Sequence, residues 1–310
     1  MNVLISTSSF ARHSREPLDL LEARGAQYRL NAQGRKLTAD EIASLLDDVD
    51  GLVAGTEPLT REVLLRAPRL RVISRCGTGL DNVDLTAAAE FGIQVRNTPD
   101  AHVDAVAELT LAALLSMLRR LTEADRSIRA GAWEKPMGHL LRGKTVGLVG
   151  LGRVGRRLVE LLAPFHGTVL ASDPHEDREF TTASGVEYVS LDELLERSDI
   201  VSLHLPYSAQ NHHLLDADRL GRMKPGALLI NCARGGLVDE AALCSVLQNG
   251  RLGGAHLDTF EREPYDGPLT GIHGVALSSH IGSYAVEGRV QMEREAVQNL
   301  LACFDDEASR

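Results

Sequence analysis

Arg234, Glu263 and His280 are the residues of this chain whose types, taken together, describe a reaction. Each stands a few positions past a short apolar run, at 227–231, 254–257 and 275–277 in turn. Such runs read as buried strands, and the C-terminal edge of a parallel sheet is where ligands of open α/β folds bind. A planar guanidinium grips a carboxylate and polarises an oxygen on the next carbon. An imidazole, whose ordinary pKa is near neutral, takes a hydroxyl proton on oxidation and returns it on reduction. A carboxylate beside the ring orients it and stabilises its protonated form. These are the needs of hydride transfer at C2 of a 2-hydroxy acid. Singly, each residue is ordinary: an arginine after a strand is commonly a surface cation, and an acid beside a proline is commonly solvated.

What makes them a set is the stretch 144–162, KTVGLVGLGRVGRRLVELL. A short apolar strand runs into Gly150, Gly152 and Gly155, spaced G-x-G-x-x-G, and then into a helical pattern. The first glycine permits the tight turn, the second lets the backbone approach a pyrophosphate, and the third lets helix and strand pack closely. The helix N-terminus offers unpaired N–H groups and a positive dipole end to the anion. Alone, such a turn is a weak signal. The following strand, 168–171, leads to Asp173, about twenty residues on, where a carboxylate accepts from the adenosine ribose hydroxyls. An acid there disfavours a 2′-phosphate, so NAD is expected over NADP; the competing reading is a turn acid before Pro174.

At 310 residues the chain is long enough for two domains with proper cores. Its formal charge of −10 argues against a nucleic-acid or membrane-surface partner, though not against a small anion at a local cationic site. No apolar run reaches the roughly eighteen residues of a membrane span. The opening MNVLISTSSF lacks a basic region followed by a long apolar core, so no secretory leader is expected. Cys76, Cys232, Cys244 and Cys303 form no CxxC pair and fit a reducing cytoplasm as small apolar fillers.

The elements that must position these residues follow in order. Strands are expected at 2–6, 26–30, 51–54, 70–74 and 93–96, with helices through about residue 24, after Thr38 (capping box with Glu41) and from Thr60. The fourth strand runs into RCGTGLDNVD, whose glycines either offer bare N–H groups to a ligand or form a plain turn. An Ala/Leu-rich helix at 104–120, apolar almost all round, should be buried as the crossover into a second domain. Residues 121–143, with Trp133, read as an arm, either a dimer contact or a surface loop. Beyond the glycine turn, strands at 200–205, 227–231, 254–257 and 275–277 alternate with helices at 191–196, 216–223 and 239–248. A final helix at 285–304 returns to the first domain. The fold class is α/β, two doubly wound (Rossmann/flavodoxin-like) parallel-sheet domains with a cleft between them. The boundaries are 1–98 plus 284–310 for a substrate domain and 99–283 for an NAD-binding domain.

The motifs VGLVGLGRVGRRL, SDP, INCARGGLVDEAAL, GAHLDTFEREP, SSHIGSYAVE and RCGTGLDNVDL together resemble the D-isomer-specific 2-hydroxyacid dehydrogenases, most closely the phosphoglycerate-dehydrogenase-like branch. The resemblance covers essentially the full length. It implies Arg234 as substrate-binding arginine, Glu263 as the partner of the histidine and His280 as acid/base. It also implies that Arg153 and Val154 meet the pyrophosphate, that Asp173 holds the ribose, and that Pro206, Cys232, Ala233, Asp258 and Gly282 line the cofactor site. The backbone at Thr78 and Gly79 looks like the substrate carboxylate cradle, no metal is implied, and a homodimer is expected. Two departures stand out. Where phosphoglycerate dehydrogenases commonly carry an Arg-Ser pair after the third strand, this chain has Val53-Ala54-Gly55-Thr56-Glu57, which would repel a phosphate. Nor is a C-terminal regulatory domain expected, since the sequence stops at Arg310. The function expected is NAD-dependent oxidation or reduction of a small D-2-hydroxy or 2-keto acid. The alternatives are an NAD(H)-sensing protein similar to corepressors of the C-terminal binding protein type, or a phosphonate- or hydroxypyruvate-specific relative.

Overall fold

The computed structural model describes residues 1–308, and the chain divides into two compact units, Met1–His102 with Tyr284–Arg310 and Val103–Ser283. The first unit holds β1 (Asn2–Ile5), β2 (Gln27–Leu30), β3 (Gly51–Ala54), β4 (Val72–Arg75) and β5 (Gln94–Asn97) in one sheet, ordered β2-β1-β3-β4-β5. All its pairs are parallel. Strand residues alternate between two buried faces, as a period of two demands when both sides are covered. Val3, Ile5, Val53 and Val72 pack on one side with α1 (Glu16–Ala23) and the long helix ending the chain, while Leu4, Leu52, Ala54 and Ile73 face the other. There they meet α2 (Ala39–Leu45), α3 (Arg61–Leu65) and α4 (Leu85–Glu90). Thr38 and Glu41 form the expected capping box at the start of α2.

In the second unit, α5 (Val103–Leu118) and α6 (Leu121–Arg129) precede β6 (Thr145–Val149), α7 (Arg153–Leu162) and β7 (Thr168–Ser172). Then come α8 (Arg178–Ser184), β8 (Glu187–Tyr188), α9 (Leu191–Arg197), β9 (Ile200–Leu203), α10 (Ala217–Arg222) and β10 (Leu228–Asn231). The unit closes with α11 (Glu240–Gln248), β11 (Gly254–Leu257) and β12 (Val275–Leu277). Its seven parallel strands run β12-β11-β10-β9-β6-β7-β8, with Leu228 and Ile230 buried on one face and Leu229 on the other. The last helix, α12 (Val286–Ala308), packs on α1, β3, β4 and β5 of the first unit.

Four elements lie outside the sequence reading. Helix α4 is six residues long, and α6 and α8 bury no residue; α6 does carry Leu121, Ala124 and Ile128 at helical spacing, but this stripe packs into no core, and the stretch reads in sequence as an arm. Strand β8 is two residues long. The stretch 121–143 therefore opens with a helix rather than being an irregular arm throughout. Helix α5 is also less enclosed than expected: Val106, Ala107, Thr110, Ala113, Leu114 and Leu118 are buried, but Asp104, Glu108 and Ala112 face solvent. Among the described residues, no helix is long and apolar enough to cross a membrane.

Candidate active site

Strand order reverses between β9 and β6, and the glycine turn lies at the end of β6, at this switch point. Gly150 sits at φ 96°, and a Cβ there would come 2.7 Å from the carbonyl oxygen of His204. A Cβ on Gly155 would meet the Gly150 carbonyl oxygen at 2.7 Å, so α7 packs directly on the turn. Gly152 faces open space, with nothing within 4 Å, and α7 begins there without a side-chain cap. Arg153 and Val154 form its first turn, exposed and half-buried. A ten-residue helix with open first-turn N–H groups and room beside a bare glycine suits the phosphates of a dinucleotide. The Asp173 carboxylate accepts the N–H groups of Leu151 and His175, both at 2.8 Å, and so braces the turn from the next strand.

Three loops follow β9, β10 and β11. Pro206 is exposed in the first, its carbonyl taking the Asn211 amide at 2.7 Å. In the second, fully buried Asn231 shapes the chain, its Oδ1 accepting from Ala233 N–H at 3.0 Å and its Nδ2 donating to the Arg234 carbonyl at 2.9 Å. Cys232 is buried, and burial with the nearby Asp258 charge pushes its thiol up to about 12, so it is no nucleophile. Arg234 donates to the Ala233 carbonyl at 2.8 Å. Gly235 lies so close to the third loop that a Cβ would stand 1.9 Å from the Phe260 carbonyl carbon.

The third loop carries Glu263, and the segment after β12 carries His280. The His280 Nδ1 lies 2.9 Å from Glu263 Oε2 and 3.1 Å from Oε1, which leaves Nε2 without a partner among the described residues. Burial alone would raise the Glu263 carboxyl. The His280 ring, the Phe260 N–H and the Arg234 charge outweigh it and hold the group below the usual range. His280 has a positive φ of 55°, and its N–H donates to the Asp258 carbonyl at 2.8 Å. Asp258 is completely buried, and its carboxylate takes the Ser278 hydroxyl at 2.5 Å and the N–H groups of Ile281 and Gly282 at 2.9 and 2.8 Å. Its observed work is thus to fasten the His280 loop. Sequence reasoning missed Asn231 and Ser278; a polar residue ending or just following an apolar strand was the available signal.

In the first unit, the loop after β4 holds Thr78 and Gly79. Gly77 is at φ 142°, and its N–H donates to Thr98 Oγ1 at 2.9 Å. The N–H groups of Thr78 and Gly79 find no acceptor among the described residues, while Asn97 Nδ2 donates to the Thr78 carbonyl at 2.8 Å. Thr78 Oγ1 meets His102 Nδ1 at 2.8 Å. Two adjacent free N–H groups make a small anion seat. Asn82, also missed, pins this loop to the one after β3 by donating to the Glu57 carbonyl at 2.6 Å.

Residues 111–282, more than half of the chain, match the family described as D-isomer specific 2-hydroxyacid dehydrogenase, NAD binding domain. A glyoxylate reductase of Thermofilum pendens is 41% identical over 278 residues, 86% of this chain and 82% of that protein. The D-3-phosphoglycerate dehydrogenase of Methanocaldococcus jannaschii is 39% identical over 259 residues, but the match spans only 49% of its length. Among solved structures, the TT0316 protein of Thermus thermophilus superposes with a TM-score of 0.91 at 37% identity, covering 99% of this chain and 97% of that one. The D-lactate dehydrogenase of Aquifex aeolicus, solved with NAD and lactic acid, gives 0.87 at 26% identity, covering 100% and 97%. With two all-parallel α/β sheets and a glycine turn at the switch point of the second, the chain belongs to the D-isomer specific 2-hydroxyacid dehydrogenase family of NAD-dependent oxidoreductases.

Proposed function

We propose that the protein interconverts a small D-2-hydroxy acid and its 2-keto acid, with His280 moving the proton, Glu263 holding the ring and Arg234 gripping the substrate carboxylate. The observation that carries this reading is the 2.9 Å contact between His280 Nδ1 and Glu263 Oε2. It fixes the proton on Nδ1 when the ring is neutral and leaves Nε2 to exchange one with substrate. NAD, when bound, supplies or accepts the hydride. The open N-terminus of α7 would hold its pyrophosphate, and Asp173, already bracing the turn, would meet the adenosine ribose. The free N–H groups of Thr78 and Gly79 would seat the substrate carboxylate.

The test is to follow NADH absorbance while glyoxylate, pyruvate, hydroxypyruvate and phosphonate- or phosphate-bearing keto acids are offered. Glyoxylate, the substrate named for several relatives, is the first choice. Turnover with NADH at least about tenfold better than with NADPH is expected, since a 2′-phosphate placed against the Asp173 carboxylate costs of order 1.4 kcal/mol or more. Tight NADH binding without turnover of any acid would instead favour a nucleotide sensor.

A homodimer is the assembly this reading favours. Trp133, Met137 and Leu140, in the stretch leading to β6, are 79, 85 and 68% exposed, an apolar display that suits a second copy. Light scattering should give about twice the 33.6 kDa chain mass, and a mass equal to one chain rules the dimer out. All four cysteines are buried and unpaired, which supports a reducing, cytoplasmic setting.

A further inference from the structure

Strands β9, β10 and β11 lie side by side, so the loop after β9 starts about 10 Å, two strand spacings, from the loop after β11. Residues 207–215, which follow β9, nevertheless touch both neighbouring loops, and His213 touches them both by itself. Its N–H donates to the Gly236 carbonyl at 2.8 Å, in the loop that carries Arg234. Its ring Nε2 lies 2.5 Å from Glu261 Oε1, in the loop that carries Glu263. A carboxylate only accepts, so Nε2 bears the hydrogen. Nδ1 stands 3.9 Å from Asp239 Oδ2, at the start of α11. The His212 ring stacks on that of His213 with 3.8 Å between centroids, and its Nδ1 is 3.3 Å from the Tyr207 hydroxyl. Tyr207 in turn lies on Gly236, where a Cβ would come 2.6 Å from the Tyr207 ring. Beyond His213, Leu215 donates to the Leu237 carbonyl at 2.9 Å and accepts the Asp239 N–H at 3.1 Å. Glu261 is anchored from its other side, its N–H donating to Glu240 Oε1 at 2.8 Å.

A half-exposed pair of a histidine and a carboxylate ordinarily contributes little. Two features set this one apart. His213 has a φ of 51°, a left-handed conformation that a residue other than glycine adopts at a cost and keeps where its surroundings fix it. Glu261 also stands within the turn that shapes the catalytic carboxylate. The N–H of Phe260, one residue before it, donates to Glu263 Oε1 at 3.1 Å, and Glu263 Oε2 holds His280 Nδ1 at 2.9 Å. A movement of Glu261 is therefore passed to Glu263 through a single backbone step.

We propose that His213 is a positioning residue: it clamps the Glu263 loop to the Arg234 loop and so keeps Glu263 where it can hold the His280 ring, a role that rests on the dehydrogenase reading of that pair. The clamp touches neither substrate nor cofactor and acts through Glu261.

His213→Asn tests the clamp. Asparagine tolerates the left-handed φ and keeps the N–H bonded to Gly236, but its short amide does not reach Glu261. Hydrogen exchange of the Phe260 amide, followed by NMR, reads whether Glu263 is still gripped. It should be about tenfold or more faster than in the native protein, as expected when a hydrogen bond to a charged group is lost. In the NADH-linked assay kcat should fall about tenfold while KM for NADH stays the same, since the loop is displaced and the glycine turn is not. Glu261→Ala should match His213→Asn in both measurements, and the double variant should be no worse than either single one, because all three remove the same contact. If His213→Asn does not fold, Glu261→Ala supplies the exchange and kcat readings alone. Native exchange at Phe260 in the single variants, or losses that multiply in the double variant, overturns the clamp. Faster exchange with native kcat leaves the clamp in place and removes Glu263 from the chemistry.

Discussion

A His280→Ala variant should turn over about 10²- to 10⁴-fold more slowly than the native protein, the loss expected when a positioned general acid/base is removed. Its NADH affinity should be unchanged, because the glycine turn and α7 are built without His280. The size of the effect follows from how completely the ring is placed. Glu263 takes Nδ1, and Asp258 fastens the loop through two N–H groups and Ser278. No described residue stands ready to replace Nε2. Because Glu263 is held below the usual carboxylate range, it stays ionised through neutral and mildly acid pH and keeps its hold on Nδ1. The sign for stability follows: the contribution is complete above the ordinary glutamate range, about pH 4.3, and disappears as pH falls through the lowered value. Steady-state NADH absorbance measures turnover, and quenching of protein fluorescence by NADH measures binding. Activity within about tenfold of native would remove His280 from the chemistry.

Gly235→Ala should damage both stability and catalysis, although Gly235 touches no substrate in this scheme. The added Cβ would stand 1.9 Å from the Phe260 carbonyl carbon and 2.3 Å from the Glu261 nitrogen. Both are backbone atoms, so no side chain can swing aside. Forced overpacking of this kind costs about 1–3 kcal/mol, occasionally more. For a unit of this size that is roughly 2–12 °C in melting temperature. The relief available is to part the loop of Arg234 from the loop of Glu263. A displacement of about 1 Å between such groups costs on the order of 10²-fold in rate. Differential scanning calorimetry and the NADH-linked assay read the two effects. A variant that melts and turns over like the native protein would mean the loops do not depend on this contact.

Much of the scaffold is legible along the chain because its signals are local. Strands β3, β6, β11 and β12 occupy the runs read from apolar pattern alone, and Thr38 with Glu41 marks a helix start by spacing. Helix α8, seven residues long and burying nothing, leaves little pattern, whereas α6 carries Leu121, Ala124 and Ile128 at helical spacing and is open to being read although it buries nothing. The exposed side of α5 is hidden for the opposite reason: its Ala- and Leu-rich composition does not show which residues meet a neighbour.

Arg234, Glu263 and His280 could be singled out from chain position because each follows a strand of one parallel sheet, and such strands all end on the same edge. Residue order alone therefore determined a nucleotide-type α/β unit, its glycine turn and the edge where polar groups gather. Only the tertiary structure decided that Glu263 takes Nδ1 of His280, and that Asp258 is a buried fastening for the loop carrying that ring. It likewise decided that Glu57 is buried and that Gly235 lies against the backbone of Phe260. The physical reason is that helices and strands arise from neighbours a few residues apart. Burial and hydrogen-bond partnership depend instead on groups 17 to 51 positions away, as for His280 with Glu263 and Ser6 with Glu57.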